Sequence, residues 1–230
     1  MGKPATRRDR KAALRAQREA EARARARRER RRRFLLLTGA GLAGYALILF
    51  LGRAPGAQAL PGAAAEAGRA AACTNLELAP QLDGDVPRDH FPTGQATEYP
   101  QIPPAAGNHA LDPLEPGVRV LDAPPDEARL VHTLEHGSVF LSYRPPGDPD
   151  GLGQDAVDAL ASLAPDRPAT YLAPSAALPE GTGLALRAWN VAVLCPGTIS
   201  AEQATALADG FVTALACTSN APEGTLGDGC

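Results

Sequence analysis

Two common chemical signatures are missing from this 230-residue chain. It has no Cys-x-x-Cys pair and no Gly-x-x-x-x-Gly-Lys-Ser/Thr loop, so dithiol redox chemistry and P-loop nucleotide binding have no local motif to rest on. Lysine is nearly absent and is confined to Lys3 and Lys11. No aromatic residue precedes Phe34, so the arginine-rich start of the chain offers bases no stacking platform, and we expect no nucleic-acid partner. Histidine is scarce as well. His90, His109, His132 and His136 are all there are, and they fall inside one window of the sequence.

What is present is divided by charge. Residues 1–33 hold 15 Lys/Arg against 4 Asp/Glu, a net of +11, whereas the remainder holds 8 Arg against 22 acids, a net of −14. A basic tail joined to an acidic remainder implies two different surroundings. Between them, residues 34–51 run 18 positions without a charge. As a helix this stretch would be roughly 27 Å long, close to the ~30 Å hydrocarbon core of a bilayer. Arginines cluster before it, and only Arg53 follows closely. The positive-inside rule therefore predicts a single-pass anchor, with residues 1–33 as a basic cytoplasmic tail leaning on anionic lipid heads and the rest outside the cytoplasm. A cleaved signal peptide is the competing reading, supported by Ala57-Gln58-Ala59 and by the arginine pair before Phe34. The long basic lead and long apolar run favour the anchor. Residues 52–72, rich in Ala, Gly and Pro, read as a flexible linker.

All four cysteines, Cys73, Cys195, Cys217 and Cys230, lie beyond the apolar run, which agrees with an oxidising compartment. Residues 73–230 are enough for one extracytoplasmic domain. Its first part, 74–125, is dense in Pro, Gly and Asp and reads as ordered loop with short strands. Pro125-Asp126-Glu127 then starts a helix that Gly137 stops. Residues 138–143 read as a strand, and 152–163 as a helix with Val157, Leu160 and Leu163 on one face. A short strand at 170–172 follows, and then a longer one at 183–195 that changes face near Trp189. Ser200-x-x-Gln203 caps a last helix running through about Ala216. The fold class expected is α+β, a small mixed sheet packed by helices, with a loop-rich N-terminal part and a transmembrane helix before it. The strands at 138–143 and 170–172 should be parallel, since a helix connects them. A helix of ~16 residues also holds Cys195 and Cys217 about 24 Å apart, which excludes that disulfide. Cys217–Cys230 with Cys73–Cys195 is preferred because the short tail closes at little entropic cost; the crossed pairing stays open.

The chemistry concentrates in Val131-His132-Thr133-Leu134-Glu135-His136-Gly137. His132 and His136 are one helical turn apart and so share a face, which is the spacing at which two imidazoles converge on one divalent ion. Glu135 sits beside them, and His109 is a candidate third ligand on a loop. A purely structural role is the alternative: His136 at the helix C-terminus, His132 hydrogen-bonded in the core and Glu135 on a loop amide. The same string matches the H-x-x-E-H pattern of inverted zinc peptidases, with Glu135 as base and Glu202 or Glu180 as a downstream ligand. The abrupt helix stop and small domain weigh against it. Tyr99, Tyr143, Trp189 and Phe211 read as core or rim aromatics.

The pattern Pro103-Pro104-x-x-Gly107-x-His109, followed by Val131 to Gly137 and an aromatic strand, resembles a bacterial and archaeal family of usually membrane-anchored proteins, domain of unknown function 3105. Ala188-Trp189, Pro222-Glu223, His90 and Tyr99 extend the resemblance over about residues 85–225. The family carries no established activity. The resemblance implies that all four histidines stand at motif positions, which favours a metal site, Cu or Zn before Mg or Ca because imidazole is a borderline ligand. This chain lacks the Trp and Cys-Gly that often follow the first loop. The reading is thus a membrane-anchored outer domain that binds a transition metal without turnover through His109, His132, His136 and Glu135, with His90 nearby. The alternative is an interaction module for a cell-envelope protein partner, with structural histidines.

Overall fold

A computed structural model describes residues 59–230 apart from Ala176; the basic tail 1–33, the apolar run 34–51 and the first residues of the expected linker lie outside the described residues. Among the described residues, no helix is long and apolar enough to cross a membrane.

Chain order is helix α1 (Gly62–Ala70), a ribbon of β1 (His90–Phe91) and β2 (His109–Ala110), then α2 (Glu127–Glu135) and β3 (Val139–Tyr143). Next come α3 (Gln154–Leu163) with a 3₁₀ turn at Ala164–Asp166, then β4 (Thr170–Pro174), β5 (Leu184–Ala188), β6 (Val191–Cys195) and α4 (Ala201–Leu215). The architecture is α+β, as the element pattern predicts. The main sheet has four strands in the order β4-β3-β5-β6; β3 and β4 are parallel, as expected, and the other pairs antiparallel.

Strand alternation divides this sheet into two faces. Val139, Leu141, Leu172, Leu184, Leu186 and Val193 belong to the larger core, which α1, α3 and α4 complete with residues such as Leu160, Leu207 and Phe211. Phe140, Tyr171 and Ala173 face the other way, into a smaller core with Leu130, Leu134 and Trp189. Between them on this second face lies Arg187, 1% exposed, donating to Glu127 and to the Ser142 hydroxyl and set 5.3 Å from the Phe140 ring. A buried guanidinium is tolerated here because a carboxylate and a hydroxyl meet it.

Two sequence expectations need correction. The strand read across 183–195 is a hairpin, β5 and β6, turning at Trp189-Asn190 with Ala188 opposite Val191. Asn190 takes a left-handed conformation (φ 58°), which asparagine tolerates without glycine's help. Its side chain accepts from the Leu82 amide and donates to the Leu82 carbonyl, while its own amide donates to Ala105. The hairpin tip therefore anchors the loop-rich segment. The second correction concerns the expected flexible linker: its described part is helix α1, packed on α4. A Cβ at Gly210 would stand 2.3 Å from that of Ala64, so the small residues that look like linker composition are what let the two helices approach.

The local signals elsewhere hold. Asp126 caps α2 by accepting from the Ala128 and Arg129 amides, and Ser200 with Gln203 forms the capping box of α4. The cysteines pair as preferred, Cys73–Cys195 and Cys217–Cys230.

Candidate metal centre

The functional cluster is assembled by two pieces of local geometry. In the parallel β1–β2 ribbon, His90 is the direct register partner of His109, so two imidazoles 19 positions apart stand side by side. The ribbon in turn lies on α2, where Leu114 donates its amide to Thr133 and Arg129 reaches the Pro113 carbonyl. This docking brings the ribbon's histidines onto the His132–Glu135–His136 end of the helix. Gly137, at φ 92°, ends α2, and a Cβ there would meet the Gly224 carbonyl at 2.5 Å. The C-terminal tail can therefore pass close, and Glu223 donates its amide to the Glu135 carbonyl.

The hydrogen bonds of His109 and His132 settle which ring nitrogen carries the proton. His109 Nδ1 lies 2.8 Å from the Gly107 carbonyl, and His132 Nδ1 lies 2.8 Å from that of Ala110. A carbonyl oxygen only accepts, so both Nδ1 atoms carry hydrogen, and in the neutral ring Nε2 is the nitrogen left with a lone pair, turned inward. His109 Nε2 is 3.2 Å from His90 Nε2 and 3.0 Å from Glu135 Oε2, and His132 Nε2 is 3.0 Å from His136 Nε2. His136 Nε2 is also 3.3 Å from Glu223 Oε2.

Burial sharpens the arrangement. His109, His132 and Glu135 are buried, while His90 is partly exposed toward solvent. Burial pushes His109 below the usual imidazole range, against the opposing pull of the Gly107 carbonyl and Glu135. His132 is pushed down to about 4, first by burial and then by His136 and His109. In both, burial favours the neutral form that ligates metal. Glu135 Oε2, buried beside His109 Nε2, has no hydrogen-bond partner. The Arg88 guanidinium stands 3.9 Å from Oε1. The Trp189 ring meets His109 edge-on at 5.9 Å.

Every residue expected at the site is here. His90, His109, His132 and Glu135 form one group whose ligand atoms lie within 4.8 Å of one another; His136 joins Glu135 and Glu223 in an adjoining group of the same compactness. His109, expected on a loop, is in a strand. Glu180 and Glu202 belong to neither group. Glu223 was not read as a ligand from the sequence, although Pro222-Glu223 stood out as a motif.

Fold and site together define the class: an α+β domain with a mixed four-stranded sheet, one face of which carries a buried histidine–carboxylate cluster able to hold a metal ion. The chain belongs to the family described as protein of unknown function (DUF3105), which matches residues 90–228. No curated protein and no solved structure matches the chain.

Proposed function

We propose that this domain binds a transition metal ion, zinc or copper, through Nε2 of His90, His109 and His132 and a Glu135 oxygen. The observation that carries the reading is Glu135 Oε2, buried without a hydrogen-bond partner and 3.0 Å from the buried His109 Nε2, at the centre of four converging ligand atoms. A cation among these atoms would compensate the buried carboxylate, which the exposed Arg88 guanidinium meets only at 3.9 Å. The outer bonds support it too: a ligating histidine usually donates its other N–H to a carbonyl or carboxylate, as His109 and His132 do. Three imidazoles and one carboxylate suit zinc or copper better than magnesium or calcium.

A second reading has its own support. Ile102, Leu111, Val118 and Val120 are exposed, and all four lie in the loop-rich segment, as a partner surface for a cell-envelope protein would have them. One experiment separates the two. The full chain is assayed for bound zinc and copper and melted with and without chelator, beside a His109→Ala/His132→Ala variant. Metal near stoichiometry in the wild type only, and a melting temperature that chelator lowers only in the wild type, is the expected result. Equal traces of metal in both, with the same loss of stability whether or not chelator is present, would leave the histidines structural.

We also propose that the domain is held on the outer face of a membrane by residues 34–51, with residues 1–33 on the cytoplasmic side. The +11 tail, the uncharged 18-residue run and the use of all four cysteines in disulfides support this. After mild reduction, a thiol reagent that cannot cross membranes should label Cys230 in intact cells. Labelling that requires lysis would place the domain inside.

A further inference from the structure

Resting on the metal-binding reading, we propose that the centre is dinuclear, with Glu135 as a bridging carboxylate and a second divalent ion held by His136 and Glu223. Two ligand groups adjoin here and share a single residue, Glu135, and in each the ligand atoms lie within 4.8 Å of one another. A carboxylate has two oxygens and can give one to each ion, and metal pairs held this way sit about 3.5–4 Å apart. His132 Nε2, in the first group, and His136 Nε2, in the second, stand 3.0 Å apart, so the two groups are contiguous. Glu135, the residue the two groups share, is 2% exposed, and its Oε2 has no hydrogen-bond partner.

The second group is built, not an accident of surface side chains. Glu223 is fixed over the end of α2 by its amide bond to the Glu135 carbonyl, and Cys217 donates its amide to Gly137 a few residues earlier. The approach requires glycine at 137, where a Cβ would meet the Gly224 backbone at 2.5 Å, and the tail's own turn requires it at 224, where a Cβ would meet the Thr218 carbonyl at 1.8 Å. Glu223, 43% exposed, and His136, 22% exposed, put this second ion on the solvent side of the first. One imidazole and two carboxylates make it the harder of the two sites. With three protein ligands it keeps a coordination position for water or an exogenous anion.

Stoichiometry and magnetism test the proposal on the purified full chain. Zinc titration, with bound metal measured by elemental analysis, should give two ions per chain in the wild type. It should give one in Glu223→Gln and one in His136→Gln, both melting like the wild type when stripped of metal. Loaded with Cu(II), the wild type should show a spin-coupled pair by electron paramagnetic resonance, and Glu223→Gln the spectrum of a single isolated ion. One ion per chain in the wild type, unchanged by Glu223→Gln, overturns the second site and leaves the first standing. Two ions without magnetic coupling overturn the bridge. No bound metal in the wild type overturns both readings together.

Discussion

On one face of the four-stranded sheet, Val139, Leu141, Leu172, Leu184, Leu186 and Val193 meet three helices in an aliphatic layer; on the other, Phe140, Tyr171 and the buried Arg187 meet α2 and a long run of loops. The first face is held by area removed from water, where each fully buried leucine is worth about 1.5–3 kcal/mol. The second has a smaller apolar core and adds directed bonds to its loops: Asn190 to Leu82 and Ala105, Gln81 to Pro103 and Ala105, Arg187 to Glu127, and Arg129 to Pro113. Aliphatic packing has no orientation to enforce, so that face can carry stability but cannot aim a side chain. Hydrogen-bonded loops can aim one, and the histidines are all on that side.

The two disulfides divide in the same way, which makes them the strongest probe of the comparison. Cys73–Cys195 closes 122 residues and ends in the aliphatic core, whereas Cys217–Cys230 closes 13 and holds the tail that carries Glu223. On the loop-entropy account the first stabilises by roughly 5 kcal/mol and the second by roughly 3 kcal/mol. Denaturant unfolding of a Cys73→Ala/Cys195→Ala pair should therefore show the larger loss. Zinc affinity, measured on folded protein, should fall only in Cys217→Ala/Cys230→Ala. Equal affinity losses in both would mean that the two faces are not separable.

A smaller effect is expected at the hairpin tip. Asn190→Ala removes two side-chain bonds to Leu82 and leaves alanine at a left-handed φ, a loss of about 2–3 kcal/mol. Because the tip holds the loops rather than the aliphatic core, zinc affinity should fall together with stability, by less than tenfold. Unchanged affinity would show that the ribbon of His90 and His109 is positioned without the hairpin.

Legibility followed the range of the interaction. The start and stop of α2 could be read because Asp126 acts on amides two and three residues away and Gly137 acts on its own φ. The capping box of α4 is equally local, and through the length of that helix it also excluded Cys195–Cys217. The hairpin is not legible because its turn has no glycine; a left-handed asparagine after tryptophan leaves a run of apolar residues that looks continuous. Helix α1 was missed because alanine and glycine have no apolar stripe of their own, and it is contact with α4 through Ala64 and Gly210 that makes them a helix surface.

The same division runs through the site. The sequence alone places His132, Glu135 and His136 at one helix end, because helical spacing is a property of the backbone and needs no partner. It also determined the α+β class and, through the charge on either side of residue 33, the expectation of two environments. That His90 faces His109 comes from the three-dimensional pairing alone, since a two-residue ribbon has too little periodicity to announce its register. The same holds for Glu223 beside His136, since that contact depends on Gly137 and Gly224 passing backbone to backbone across a sequence gap whose closure no local preference encodes.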